Sequence, residues 1–571
     1  MKFSRKNLLF AAIAAVSFSA GFFLPFETLK VVYSSYAYYF LFLSFLLWVA
    51  LIARVYIKNL RVIAGRHYVG IIMSVVIVTA IFFMSPPRFK VLNDEAELVG
   101  ISMMMHESKI SSAPIQGYYY GDSANLRREL NVNKRPLLFP FLTSLVHSVF
   151  GYSAYHGFVV NYLCGILILL FVYGFISKTF SRSYAAIAVL IFSGCPIFVL
   201  WITSSGFETV NLLFIILVFL FFYQFLQDKN SDHAELLILT LILLAQCRYE
   251  SLLFMVAILF LLPHLVDRKH VLQYSYIMYI VPVLLIPTLW QRRLFDAVAP
   301  LIVEKGPSQF EIPAQVFSTG NFLSNIPQNI FVLTGLDSNF GFTPVLFILS
   351  LAGIYLLAKK KLTDPPEMSS TFNGILLFGI LTFVLMIGII SSYYWGNFQY
   401  HLSNRFAIVF LPYMVFSAIF CLDSIERKTR KPWKLFLITF FMLHLLFYWP
   451  YGAHQKNLKT LPLPKEYQKV LNYLETEYKD PRNTLIISER PNLYVIHQYG
   501  AVSFEYANSH AREIMIAMSR YYDHIVVLQN CSQKEGIVMD GSRLHGRFRI
   551  QEKQKLNISM SSYVRISEVM K

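Results

Sequence analysis

Two acidic residues and, further along the chain, two basic residues are the side chains best suited to chemistry in this sequence. Asp94 and Glu95 follow an apolar segment that ends at Met84, and Lys134 and Arg135 precede the next apolar run. A carboxylate accepts the proton of a hydroxyl nucleophile when it acts as a general base, whereas Lys and Arg pair well with phosphate. The pattern predicts a site that deprotonates one substrate and holds the phosphate of another. The alternative is that the acids are solvated loop residues and the bases are snorkelling anchors of an interfacial helix.

Three further ionisable residues lie beside the ends of apolar segments, namely Glu208, Arg248 and Arg405. Ionisable groups near membrane depth are candidates for function by default. Glu208 is a candidate for orienting an acceptor or a metal ion, and the two arginines are candidates for contact with a phosphate. An exposed turn acid and two helix anchors are the competing interpretations.

The composition is that of a membrane protein. Of the 571 residues, 56% are hydrophobic and only 15% are charged, and the mean hydropathy is +0.51, whereas soluble domains are about 25% charged. The net charge of +17 would suit nucleic acid, but basic residues of membrane proteins collect in cytoplasmic loops, so no nucleic-acid partner is expected. The five cysteines form neither a disulfide framework nor a metal-ligand pattern.

Apolar runs near the length that crosses a bilayer recur along most of the chain, and they predict about thirteen transmembrane helices. In order, these runs are Leu8–Phe26, Tyr36–Ala53, Tyr68–Met84, Gly157–Ile176, Tyr184–Trp201, Val210–Leu226, Leu236–Ala245, Leu252–Val266, Val271–Trp290, Phe342–Ala358, Gly374–Ile390, Phe406–Leu422 and Leu435–Trp449. The run Leu137–Phe150 is shorter and contains Pro140. It is therefore interpreted as a re-entrant or interfacial helix on the outer surface.

The distribution of basic residues predicts the orientation. With a cytoplasmic N-terminus, the inside loops are much richer in Lys and Arg than the outside loops, as the positive-inside rule requires. The loop 85–156 and the C-terminal tail then lie on the extracytoplasmic side of the plasma (inner) membrane. Membrane lipids are accordingly expected partners.

The tail from residue 451 to residue 571 differs from the rest of the chain. Thr484–Ser488 and His524–Leu528 read as buried strands, Ala511–Arg520 reads as a helix between them, and later strands are expected at Phe548–Gln551 and Tyr563–Val569. The tail is predicted to be a small extracytoplasmic α/β domain. It follows two additional N-terminal helices in residues 1–67 and a transmembrane catalytic module in residues 68–450.

Several short elements occur in a characteristic order and on one predicted side of the membrane. They are Asn93–Glu97 (NDEAE), Lys134–Leu138 (KRPLL), a short helix that ends at Phe150-Gly151, Ser204–Glu208 (SSGFE), Cys247–Glu250 (CRYE) and His401–Arg405 (HLSNR). In this order they resemble the GT-C superfamily of membrane glycosyltransferases, in the branch of the protein O-mannosyltransferases and the aminoarabinose lipid A transferases. The resemblance covers residues 68–449.

The resemblance implies an α-helical polytopic fold and an inverting transfer of a sugar from a polyprenyl-phosphate donor. The acceptor would be a glycan, a lipid or a protein on the extracytoplasmic face. The implied roles are catalysis for Asp94 and Glu95, acceptor or metal orientation for Glu208, and donor phosphate binding for four basic residues, which are Lys134, Arg135, Arg248 and Arg405. No cofactor is expected, and a divalent metal is left open.

The chain departs from the family pattern in two places. The usual first helix is the third here, and Arg135 replaces the first proline of the basic element. It therefore stays open whether Lys134 or Arg135 meets the phosphate. A lipid or glycan transporter or flippase, and a non-catalytic subunit of a glycan assembly complex, are the alternative functions.

Overall fold

A computed structural model describes residues 5–119, 127–265, 277–304, 316–336, 341–363, 370–400, 402–429, 434, 436–442, 462–533, 537–557 and 562–570. The helices of the first half are α1 (Arg5–Phe22), α2 (Phe26–Tyr56), α3 (Leu60–Met84), α4 (Leu92–Ser108), α5 (Leu138–Phe150), α6 (His156–Thr179), α7 (Arg182–Gly194), α8 (Pro196–Ile202), α9 (Glu208–Asp228), α10 (Ser231–Ala245) and α11 (Leu252–Leu265). Those of the second half are α12 (Ile277–Leu284), α13 (Ile286–Glu304), α14 (Thr319–Leu333), α15 (Pro344–Thr363), α16 (Ser370–Ser392), α17 (Leu411–Thr429), α18 (Pro462–Glu477), α19 (Asn492–Val495), α20 (Phe504–Ser509) and α21 (Ala511–Arg520).

The helical part is an integral membrane protein. Six helices of the described residues are long and apolar enough to cross a membrane, or seven if a bent pair counts as one span, by length and composition. Four shorter apolar helices accompany them, within α1, α5, α11 and α15. The predicted total of about thirteen spans therefore stays a prediction. Parts of three predicted runs lie outside the described residues, namely the last residue of Leu252–Val266 and parts of Val271–Trp290 and Leu435–Trp449.

The predicted run Tyr184–Trp201 is interrupted. It forms α7 and α8, which are bent by 70° at Cys195. Pro196 is the first residue of α8, where its missing N–H costs no hydrogen bond, but it cannot continue the preceding helix. The break directs the chain into the turn that precedes α9, and Glu208 is the first residue of that helix.

A seven-stranded sheet unites two distant parts of the chain. Its strands are β1 (Ala113–Tyr118), β2 (Arg127–Asn131), β3 (Thr484–Ile487), β4 (Gly500–Val502), β5 (His524–Ser532), β6 (Ile550–Asn557) and β7 (Ser562–Val569), in the order β2-β1-β4-β3-β5-β7-β6. Strands β4, β3 and β5 are parallel, and β1 joins them by antiparallel pairing of Gly117 with Ala501. The predicted strands near residues 484, 524, 550 and 563 and the predicted helix 511–520 are all present. The sheet thus includes residues of the loop 85–156 as well as of the C-terminal tail.

Two hydrophobic cores lie on opposite faces of α4. Leu98, Ile101 and Met105 belong to the core of the helical part. The face that carries Val99 and Met103 belongs instead to the core built around the sheet. The helix that begins two residues before Asp94 is therefore fixed from both sides.

Candidate active site

The predicted site residues come from five separate elements that converge. Asp94 and Glu95 occupy the first turn of α4, and the basic pair precedes α5. Glu208 begins α9, Arg248 lies in the break between α10 and α11, and Arg405 lies in the 3₁₀ helix Asn404–Phe410. Each is at or near an end of an element, where the chain leaves regular structure and side chains from different helices can meet.

Asp94 is held by two arginines. One carboxylate oxygen pairs with Nη2 of Arg135, and the other lies 2.8 Å from Nη1 of Arg405. Arg135 also places its Nε 3.2 Å from the carboxylate of Glu97. Burial by itself raises the pKa of Asp94, but the charges of the two arginines outweigh it and the pKa lies below its ordinary value. Asp94 is therefore a fixed carboxylate that stays ionised at neutral pH.

Glu208 continues the same network. Its Oε1 lies 3.3 Å from Nη1 of Arg248 and 3.5 Å from Nη1 of Arg405. Arg248 in turn pairs with Glu250. Arg405 thus bridges the acid of α4 and the acid of α9. All of these carboxylates and guanidinium groups lie at least half-buried, where ion pairs are screened much less by solvent than on an exposed surface.

Two aromatic rings support the arginines. The guanidinium carbon of Arg248 lies 4.9 Å from the ring centroid of Phe207 and 4.5 Å from that of Phe406. The guanidinium carbon of Arg405 lies 6.0 Å and 5.6 Å from the same two centroids. Cation–π contacts of this length orient a guanidinium group and partly replace its hydration. Phe207 and Phe406 were not singled out in the sequence, but each is the direct chain neighbour of a predicted site residue.

Glu95 differs from Asp94 in its surroundings. It is buried, its Oε2 accepts a hydrogen bond of 2.6 Å from the backbone N–H of Lys90, and its Oε1 has no hydrogen-bond partner among the described residues. Burial raises the pKa of Glu95 to about 8, although the Lys90 N–H acts in the opposite direction. The two adjacent acids therefore differ, since the pKa of Asp94 lies below its ordinary value and that of Glu95 lies above it.

Lys134 is the basic residue of this cluster that is not committed to an acid. Its Nζ lies 5.1 Å from the ring centroid of Phe295, and no ion pair links it to any residue in the described ranges. Its carbonyl oxygen accepts hydrogen bonds from the hydroxyl of Tyr249 and from Nε2 of Gln291, the latter at 3.3 Å. Because Arg135 is occupied by Asp94 and Glu97, the arrangement leaves Lys134 as the side chain of the pair available to an anionic ligand.

Some residues of the network were not predicted. Glu97 and Glu250 each complete an arginine's pairing, and Lys90 is almost fully buried beside Glu95. The helical spacing of Asp94 and Glu97, three residues apart on one face, could have indicated that both meet the same partner. Nothing comparable in the sequence indicates Lys90. Within the described residues, no group of three His, Cys, Asp or Glu side chains is arranged to hold a metal ion.

A family model described as dolichyl-phosphate-mannose-protein mannosyltransferase matches residues 134–290. The match begins at Lys134 and includes Glu208 and Arg248. It spans less than a third of the chain and contains neither Asp94 nor Arg405. A comparison with the sequences of curated proteins gives no match.

Among solved structures, the fold is similar to that of ArnT from Cupriavidus metallidurans bound to undecaprenyl phosphate, with a TM-score of 0.54 and 10% sequence identity over 88% of this chain and 98% of that chain. The apo state of the same protein gives a TM-score of 0.40 at 11% identity, with the same shares covered. Arabinosyltransferase EmbB from Mycobacterium smegmatis gives 0.31 at 12% identity, over 85% of this chain and 46% of that chain. The similarity to the first structure establishes the fold. With the family match, it confirms the resemblance to the GT-C superfamily of membrane glycosyltransferases.

Proposed function

We propose that this protein is an inverting glycosyltransferase that moves a sugar from a polyprenyl-phosphate donor to an acceptor on the extracytoplasmic face of the membrane. The observation that carries the proposal is the placement of Asp94, an ionised carboxylate fixed by Arg135 and Arg405, in a fold similar to that of ArnT bound to undecaprenyl phosphate. The acceptor is a glycan, a lipid or a protein. The concentration of Lys and Arg in the loops that are assigned to the cytoplasm supports an N-terminus inside the plasma membrane and a C-terminal region outside it.

The transfer needs one proton acceptor and one group that stabilises the leaving phosphate. Asp94 takes the proton of the acceptor hydroxyl as its oxygen attacks the anomeric carbon on the face opposite the phosphate. The bond between the anomeric carbon and the phosphate oxygen breaks, and its electron pair stays on the phosphate. The configuration at the anomeric carbon is therefore inverted. Lys134 offsets the negative charge that builds on the leaving group.

The remaining charged residues have positioning roles in this mechanism. Arg135 and Arg405 fix the Asp94 carboxylate, and Glu208 fixes Arg405 with the help of Arg248. This assignment is narrower than the role in phosphate binding that the resemblance implies for all four bases. Metal dependence stays open, and the proposed steps use only side chains of the chain itself.

The test is the transfer of radiolabelled sugar from a panel of polyprenyl-phosphate sugars by the purified wild type and by Asp94→Asn. We expect transfer by the wild type and a loss of about 10²-fold or more in the variant, which is the usual contribution of a general base. Asp523→Asn is the matched control, because Asp523 is exposed in the C-terminal region. It should retain full activity, and all three proteins should melt cooperatively.

Other outcomes would redirect the proposal. Equal transfer by the wild type and Asp94→Asn would exclude Asp94 as the general base. The variants Glu95→Gln and Glu208→Gln would then be measured next. Absence of transfer from every donor, together with movement of lipid-linked sugar across vesicles, would indicate the transporter. Absence of both activities would indicate a non-catalytic subunit.

A further inference from the structure

Helix α4, which carries Asp94, is packed between the transmembrane part and the C-terminal region. Leu92, Ala96, Val99 and Met103 follow one another at helical spacing on the face that joins the core around the sheet. The position of this face depends on residues that follow it by more than three hundred positions in the chain. The C-terminal region therefore packs against one face of α4 and helps to hold the helix in place.

One short segment of the C-terminal region packs directly against α4. We call residues 492–499, which comprise α19 and the four residues after it, the docking turn. A Cβ atom at Gly100 of α4 would lie 2.8 Å from Cδ of Pro114 in β1 and 3.8 Å from Cγ2 of Ile496 in the docking turn. A residue without a Cβ is needed for β1 and the helix to come this close. Gly100 thus marks the point where α4, β1 and the docking turn meet.

The docking turn is anchored through its backbone by tyrosines of the loop 85–156. The hydroxyl of Tyr152 donates a hydrogen bond of 2.5 Å to the carbonyl oxygen of Ile496. The hydroxyl of Tyr119 donates one of 3.0 Å to the carbonyl oxygen of Gln498. Gln498 has a φ of 66°, in the left-handed region that non-glycine residues seldom adopt. Such a conformation persists where surrounding contacts determine it, and it is frequent at functional sites. The hydrogen bonds to the carbonyl oxygens of Ile496 and of Gln498 itself supply these contacts.

We propose that the docking turn is a positioning element for the reaction: it holds α4 in the register that places Asp94 against Arg135 and Arg405. The proposal rests on the proposed function for its catalytic consequence, but the mechanical claim stands on the contacts alone. The connection runs from Ile496 through Gly100 along α4 to Glu97 and Asp94. A shift of the helix would lengthen the separation of 2.8 Å between Asp94 and Arg405 and that of 3.2 Å between Glu97 and Arg135.

The first measurement is hydrogen–deuterium exchange of the backbone amides 92–108 in the full chain, in lipid nanodiscs. Ile496→Ala removes the side chain that faces Gly100. Ile525→Ala removes the same atoms from a residue that is buried in the same core but lies on β5, so it is the matched control. We expect faster exchange of α4 in Ile496→Ala than in Ile525→Ala. Equal exchange of α4 in the two variants would overturn the proposal.

The second measurement separates positioning from a general loss of structure. In Ile496→Ala, kcat for sugar transfer should fall by tenfold or more, since a displacement of about 1 Å can cost 10²-fold, while KM for the donor changes little. Ile496→Val should restore most of the rate. A rise in KM with unchanged kcat, or equal losses in the Ile525→Ala control, would contradict a positioning role.

A milder pair of variants keeps the proposal testable if Ile496→Ala does not fold. Tyr152→Phe removes only the hydroxyl that meets the docking turn, and Tyr506→Phe removes a hydroxyl that meets Tyr118 at 3.0 Å instead. Faster exchange of α4 in Tyr152→Phe alone supports the proposal, and identical exchange rejects it. If the wild type transfers no sugar from any donor, the proposed function fails, but the exchange measurements still decide whether the docking turn holds α4.

Discussion

At the residue scale, the acids that surround each basic group decide which base is left for a substrate. Arg135, Arg248 and Arg405 each meet two carboxylates. Removing one partner of a buried pair leaves an uncompensated charge, so these arginines are costly to redirect toward a ligand. Lys134 has a neighbouring aromatic ring, and within the part of the chain that the structure describes it forms no ion pair with an acid. A phosphate would therefore find its strongest uncommitted partner at Lys134.

The charge of Lys134 predicts a pH dependence of donor use. Burial, reinforced by the charge of Arg135, lowers the pKa of Lys134 to about 8. The side chain is charged below this pH and neutral above it, so kcat/KM for the donor should fall as the pH rises through about 8. The arginine of Lys134→Arg keeps its charge at every accessible pH. The decline of kcat/KM in this variant should therefore move to higher pH. The measurement is a pH profile of kcat/KM for both proteins.

An unchanged decline in Lys134→Arg would show that another group titrates. Glu95 is the candidate, because its pKa is raised to about 8 as well. Glu95→Gln cannot titrate at this position, so it is the control for that outcome. If the decline is absent from Glu95→Gln and present in Lys134→Arg, the assignment to Lys134 is wrong.

At the element scale, a buried chain of polar groups fastens α4 to α5 and α6. Ser102 of α4 lies 3.0 Å from Nε2 of His147 of α5, whose Nδ1 lies 2.8 Å from Nδ1 of His156 of α6. The Ser102 hydroxyl donates to the carbonyl of Val99, so it accepts from Nε2–H of His147. The other ring nitrogen of His147 then accepts from His156. The arrangement is satisfied with His147 neutral.

These hydrogen-bonded polar groups predict that the folded protein loses stability in acid. Burial, together with the neighbouring imidazoles, lowers the pKa of His147 to about 3, whereas an unfolded histidine protonates near 6.5. Between these values the unfolded state binds a proton that the folded state does not. The free energy of unfolding should therefore fall by up to about 1.4 kcal/mol per pH unit as the pH drops below about 6.5. Melting temperatures of the wild type and of His147→Gln between pH 4 and 7 should show a flatter dependence in the variant.

The matched control is His510→Gln, since His510 stacks on Tyr506 in the C-terminal region, away from Ser102, His147 and His156. It should keep the wild-type dependence on pH. Parallel curves for all three proteins would mean that His147 titrates equally in the folded and unfolded states. The polar chain would then contribute nothing to acid sensitivity.

At the scale of the whole molecule, the predicted orientation places the site and the sheet on the same side of the membrane. All five cysteines are free and buried, so the wild type offers a low background for labelling by a membrane-impermeant maleimide. Asp523→Cys introduces a thiol in the C-terminal region, and Lys58→Cys introduces one between α2 and α3, both at exposed positions. In intact cells or right-side-out vesicles, the first should react and the second should react only after permeabilisation. The reverse pattern would contradict the predicted orientation and the proposed extracytoplasmic reaction.

Features that depend on local composition and periodicity could be predicted from the amino-acid sequence. Long apolar runs indicated membrane helices, and the short β-branched segments near residues 484 and 524 indicated buried strands, because burial leaves its pattern in neighbouring residues. The juxtaposition of an acid after one helix and a base before the next indicated the chemistry of Asp94 and Lys134. Of these, the helices and strands are seen in the structure, and the roles of the two residues remain to be measured.

Which charged side chains pair with one another became visible only in the folded molecule. The bridge that Arg405 makes between Asp94 and Glu208 and the pairing of Gly117 with Ala501 join residues hundreds of positions apart. No local pattern encodes such contacts, because they arise when separately stable elements pack together. The same packing occupied Arg135 and left Lys134 uncommitted. Two adjacent basic residues that look equivalent in the sequence thus differ in the fold, since each one's partners come from other elements.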